Sequence, residues 1–191
     1  MRGKLLALIA VGLLVVLAGC STIQSITGMG KPEVVTRVNC GATQEYTDEA
    51  GRVWMADQLF ETGAEWGAIG GMTVKRWGIA IEGTPAPDVY LYERYNMAGY
   101  RFVVPNGKYL VRLHFAETFE EITEAGQRVF SVNVNGQTML EDFDPYEAAG
   151  GFAKPVVKTS DPIMVDEGTL NITFETDIQN PEINGIEILA F

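Results

Sequence analysis

The chain has one histidine in 191 residues, only two cysteines and few basic side chains. Each shortage removes a class of function. His114 alone cannot build a zinc centre without several other ligands. No Gly-x-Ser-x-Gly elbow is present for it to serve as a base, and its alternating neighbours place it outward on a strand. Fourteen Lys+Arg stand against 25 Asp+Glu, a net charge of −11, with no basic cluster. Such a surface repels phosphate backbones, which excludes nucleic acid. There is no phosphate loop, dinucleotide fingerprint, internal repeat or low-complexity run. No cofactor and no metal are therefore expected. After residue 34 no long helical period appears either.

The longest apolar run, Leu5 to Leu17, falls short of the roughly 20 residues that cross a bilayer. It follows a basic head, Arg2 and Lys4, and precedes Leu17-Ala18-Gly19-Cys20. A basic start, a short apolar stretch and small residues before a cut make an export signal. Leu-Ala-Gly-Cys resembles the bacterial lipobox, with cleavage before Cys20 and acylation of that residue. More than one acyl chain is what stable membrane attachment requires. Ser21, in place of Asp, favours the outer membrane by analogy with enteric bacteria. Loss of residues 1–19 leaves twelve Lys+Arg against 25 Asp+Glu, net −13. That charge repels anionic lipid, so attachment rests on the anchor. Residues 20–33, rich in Ser, Thr, Gly and Lys after the cysteine, read as a flexible tether. A chain of that length averages about 20 Å end to end. With Cys20 lipidated, Cys40 has no intramolecular partner, and it reads as a small core residue.

Residues 34–191 are uniform in composition and long enough for one well-cored domain. Their period is two. Tyr109, Val111, Leu113 and Phe115 share one face, as do Phe130, Val132 and Val134, and Leu170, Ile172 and Phe174. Asn135-Gly136 is a strong hairpin signal. Short alternating strands with Gly, Pro and Asn turns predict an all-β fold, a jelly-roll β-sandwich of two antiparallel sheets.

Carboxylates are abundant, and Glu117, Glu120, Glu121, Asp142 and Asp144 could supply a glycosidase-like acid/base pair. That chemistry needs two carboxyl groups at a set separation and one raised pKa; in so acidic a chain, surplus acids read as solvated surface, so no enzyme is expected. Asp142, Asp144 and Glu147 lack the spacing of an EF-hand and read as a polar loop. Aromatics are more informative. Trp54, Trp66, Trp77, Tyr90, Tyr92, Tyr95, Phe119 and Tyr146 fall mostly outside the clean strands. Loop rings, such as that of Trp66-Gly-Ala-Ile-Gly-Gly71, can form platforms for the apolar face of a sugar.

Several segments, in order, resemble malectin domains. They are Val38-Asn-Cys-Gly41, Val89-Tyr-Leu-Tyr-Glu-Arg-Tyr95, Val104 through Glu117, Gly126 through Gly136, Asp142-Phe-Asp144 and Asn180 through Ile188. The resemblance implies a jelly-roll sandwich that binds carbohydrate without cleaving it. It assigns sugar-site aromatics to Tyr95, to Phe119 (whose following ring becomes Glu120) and to Trp66, with Trp77 as the alternative. It places Gln179 where the family has an aspartate, beside Asn180. Trp66, Tyr95 and Phe119 are thus expected to stack on sugar rings, and Gln179 and Asn180 to bond hydroxyls. The expected partner is a glucan-like oligo- or polysaccharide, with the membrane reached only through the lipid on Cys20.

Overall fold

The computed structural model describes residues 31–191. The leader, Cys20 and most of the tether lie outside the described residues. The rest forms a β-sandwich. One sheet contains β1 (Glu33–Asn39), β2 (Tyr46–Thr47), β3 (Val53–Ala56), β6 (Gly107–Phe115), β9 (Val156–Thr159), β10 (Ile163–Val165) and β13 (Gly185–Ala190). The other contains β4 (Trp66–Lys75), β5 (Tyr92–Val103), β7 (Val129–Val134), β8 (Gln137–Phe143), β11 (Thr169–Ile178) and β12 (Glu182–Ile183). Among named strands only β1 and β3 pair in parallel. A 3-10 turn, Pro87–Leu91, and one short helix, α1 (Pro145–Ala149), complete the chain.

The period-two pattern decides what lies between the sheets. Val111, Leu113 and Phe115 of β6 face Phe130, Val132 and Val134 of β7 and Leu170 and Ile172 of β11, all fully buried. Phe115, Phe130 and Phe143 form a tilted aromatic cluster, with centroids 4.9 Å apart at the closest pair. Cys40 is buried in the same core. At the β7–β8 turn Asn135 and Gly136 both adopt positive φ, 46° and 76°, as a tight hairpin requires.

Three aromatics expected on loops are instead structural. Trp54 lies in β3 and is fully buried, and Tyr90 of the 3-10 turn packs in the same satellite cluster. Trp66 opens β4, only 7% exposed, and stacks on Phe102 at 6.0 Å. Its glycine neighbour reflects close packing: a Cβ on Gly67 would meet the Phe60 backbone nitrogen at 2.4 Å. His114 does face away from the main core, but Trp54 and the 3-10 turn cover that face. Its Nε2 donates to the Glu187 carboxylate at 3.0 Å, and its Nδ1 lies 2.8 Å from Tyr90 Oη, in hydrogen-bond contact. Burial would raise the Glu187 carboxyl, yet His114 and Arg37 outweigh it and hold it at about 2.

A further buried hub holds the start of the domain against β5. The Asp57 carboxylate accepts from the Gly41 amide at 2.6 Å, Arg94 Nε at 2.7 Å and Tyr100 Oη at 3.0 Å. Gly41 sits at φ 88°, where a Cβ would lie 2.5 Å from the Glu93 carbonyl oxygen. That close approach explains the glycine of Val38-Asn-Cys-Gly41.

Candidate functional site

A cavity of about 260 Å³ opens beside β5, and four residues expected to bind sugar line it: Tyr95, Phe119, Gln179 and Asn180. They come from β5, the loop after β6 and the link between β11 and β12. Val74, Arg76, Glu93, Glu121 and Arg128 complete the wall. Glu93 and Tyr95 are two apart on one strand and so share a face; Glu182 lies directly opposite Tyr95 in the ladder and shares it too.

The wall is built on a buried ion pair. Arg128 Nε donates to Glu117 at 2.6 Å, and both side chains are almost wholly buried. The second Glu117 oxygen accepts from the Phe119 amide at 2.9 Å. Arg128 also donates through Nη1 to the Asn180 carbonyl. One pair therefore fixes two stretches of wall far apart in sequence. Burial pushes the Glu117 carboxyl up, opposed by Arg128 and the Phe119 amide. Burial also works against the Arg128 cation, but Glu117 and Glu182 outweigh it and hold it above its usual value. On the other side Arg76 donates to Glu93 at 3.1 Å, and its guanidinium lies 5.2 Å from the Phe119 ring centroid.

Glu93 lines the cavity and two further buried carboxyl groups, Glu117 and Glu182, lie in its surroundings, against two guanidinium groups, Arg76 and Arg128. The odd acid is Glu182. Neither of its oxygens has a hydrogen-bond partner, and Arg76 Nε likewise lacks one. Burial, then the charges of Glu93 and Glu117, push its carboxyl well above the ordinary value.

Arg76, Glu93, Arg128 and Glu182 were not singled out in the sequence, though alternation from Tyr95 carries one readable sign, Glu93 two residues earlier. Trp66 is not part of the site, because it is packed into the sandwich. Trp77 is 77% exposed and lines an adjoining hollow with Phe119. Gln179 adopts a positive φ of 60°, and its amide oxygen accepts from the Asn180 amide at 2.9 Å. Asp144 caps α1 by accepting from the Glu147 amide and also takes the Gly126 amide. Among the described residues no group of three or more His, Cys, Asp or Glu is arranged to hold a metal.

Two aromatic faces above a floor of amides, acids and guanidinium groups suit a polyhydroxylated ligand: rings for C–H faces, polar groups for hydroxyls. Residues 34–186 match the Malectin domain family, and the chain belongs to it. A probable receptor-like protein kinase of Arabidopsis thaliana is 30% identical over 168 residues, covering 79% of this chain and 19% of its own. The plant receptor-like kinase FER has a similar fold, with TM-score 0.68 and 26% identity over 82% of this chain and 49% of that one. Part of a Bacteroides uniformis beta-glucuronidase is also similar, with TM-score 0.73 and 27% identity over 82% of this chain and 18% of that one. The chain spans less than a fifth of the length of the curated relatives it matches.

Glu182 gives the site a pH signature. A carboxyl raised on folding costs stability as pH climbs from the ordinary glutamate value toward the raised one. Glu182→Gln removes that cost. Its Tm is expected to exceed the parent's at pH 8, with the difference shrinking toward pH 4.5. An offset independent of pH would contradict the assignment.

Proposed function

We propose that the protein is a lipid-anchored, extracytoplasmic carbohydrate-binding module of a bacterial envelope, without catalytic activity. In this reading Cys20 carries the lipid, residues 20–33 are the tether, and residues 34–191 hold the sugar site, with the outer membrane as the favoured location. The ligand is an oligo- or polysaccharide, glucan-like in the first instance. The observation that carries the reading is convergence. Tyr95, Phe119, Gln179 and Asn180 are spread over more than 80 residues of chain yet line one hollow. Glu182, opposite Tyr95 in the ladder, has no protein hydrogen-bond partner for its carboxyl group. Tyr95 and Phe119 stack on sugar; Asn180, Arg76 and Glu121 bond its hydroxyls; Gln179 contributes its amide nitrogen.

A non-catalytic role fits the state of the acids. Glu117 is held by Arg128 and the Phe119 amide, and Glu93 by Arg76, so both are tied into the wall. Two stacking rings at about 1 kcal/mol each, with a few hydrogen bonds, place affinity near the millimolar range of about −4 kcal/mol. The alternative is an envelope protein-interaction module that no longer binds sugar. The Gln179 oxygen folded onto its own backbone favours it, and FER has been solved in complex with the plant peptide RALF23.

A glycan array probed with the protein distinguishes the two. Binding to a polysaccharide series is expected, weakened about fivefold by Tyr95→Ala and further by adding Phe119→Ala. No binding to any glycan, together with a stoichiometric protein partner that sugar does not compete away, would establish the alternative. For the anchor, Cys20→Ala is expected to move the protein from the membrane to the soluble fraction and abolish labelling by palmitate. Unchanged labelling would refute lipidation at this residue.

A further inference from the structure

The chain enters the domain at one end of the sandwich, and the cavity opens at the other. Glu33, the first residue of β1, stands opposite Ala190 of β13, and Ala190 stands opposite Tyr109 near the start of β6. Only residues 104–106 separate the end of β5 at Val103 from the start of β6 at Gly107. Glu33 therefore lies at the end where β5 turns into β6.

The cavity draws its residues from the opposite ends of the strands. Tyr95 is near the start of β5, Phe119 follows the end of β6, and Gln179 and Asn180 follow the end of β11. β11 begins at Thr169, opposite Val103, so its far end is the cavity end. Tyr95 and Val103 are eight residues apart on one strand, which is about 27 Å at strand spacing.

That separation constrains an anchored domain. Twelve residues lie between Cys20 and Glu33, and such a stretch reaches at most about 45 Å when fully extended. Lowering the cavity to the anchoring bilayer would draw the tether back along the whole sandwich. The run of about 27 Å exceeds the average span of about 20 Å for a flexible chain of that length. The acidic surface would also be pressed against anionic lipid, which repels it.

We infer that the anchored domain stands on its tether end and presents the cavity away from its own membrane. The ligand is then a sugar chain carried by a layer, polymer or particle facing that membrane, and not the headgroup of a glycolipid beside the anchor. Neutral sugar chemistry is common to both sources, and the direction of approach separates them. Resting on the carbohydrate reading and on the anchor at Cys20, this adds where the ligand comes from.

Orientation is tested with the lipidated protein on phosphatidylcholine vesicles that carry an acceptor dye in the headgroup layer. One donor dye is attached through Glu167→Cys, an exposed position after β10 at the tether end. Another is attached through Glu124→Cys, an exposed position in the loop that carries Phe119 and Glu121. Cys40 is buried and does not compete for dye. Energy transfer to the lipid is expected from the first site and a marked loss of it at the second, which stands about 27 Å further out. Equal transfer, or the reverse order, would overturn the orientation. The ligand's source is tested by mixing these vesicles with others that display lipid-linked gluco-, xylo- or chitohexaose. Clustering is expected with at least one sugar, because many weak contacts act together, and Tyr95→Ala with Phe119→Ala should abolish it. The same sugar placed on the protein's own vesicles should not inhibit clustering until a flexible insert after Lys31 lengthens the tether. Inhibition at the natural tether length would overturn the inference. If no sugar clusters the vesicles while the dyes report the expected order, the carbohydrate reading falls and the orientation stands. Protein that washes off the vesicles removes the anchor and the inference with it.

Discussion

The site depends on one buried contact, the pairing of Glu117 with Arg128. Two charges taken out of water carry a desolvation penalty that often cancels their attraction, so a buried pair is weak evidence for stability. Here its use is geometric. The carboxylate holds the amide of Phe119, and the guanidinium holds the carbonyl of Asn180. A loop after β6 and a link before β12 are thereby placed around the same hollow. The pair also contributes to the electrostatics nearby: burial first, then the Glu93 and Glu117 charges, push the Glu182 carboxyl well above its ordinary value. Removing either partner would leave a lone buried charge and let both walls move. Preorganised walls suit a weak binder, since a ring already in place loses little entropy on meeting its ligand.

The weak affinity proposed for one site is consistent with the proposed attachment to a surface. A module that binds a single chain at millimolar strength does little when free in solution. If Cys20 anchors the module as proposed, many copies on one membrane can hold a polymer together through effective concentration. The acidic surface then keeps neighbouring domains apart while the neutral sugar bridges them.

Strands were legible because a half-buried sheet imposes a period that hydrophobic residues must obey. Tyr109 to Phe115 and Phe130 to Val134 show this, and Asn135-Gly136 had to be a turn because few other residues accept positive φ twice. The gathering of Tyr95, Phe119, Gln179 and Asn180 followed from family resemblance, not from spacing. What misled was glycine. Trp66-Gly-Ala-Ile-Gly-Gly reads as an open loop, but Gly67 is there because another segment crosses it within van der Waals reach. His114 was placed on the correct side of its strand; that a 3-10 turn 24 residues earlier covers that side is a long-range fact. The buried ion pairs were hidden for a different reason. In a chain so rich in acids, nothing local separates Glu117 or Glu182 from a solvated glutamate.

The three tryptophans offer a direct measurement, because each gives its own indole N–H resonance and each stands in a different place. Titrating the isotopically labelled protein with a linear hexasaccharide that it binds should shift the Trp77 indole and the backbone amides of Phe119 and Asn180, and leave Trp54 and Trp66 unmoved. Shifts confined to other surfaces, or no shifts at saturating sugar, would contradict the placing of the ligand site in this cavity.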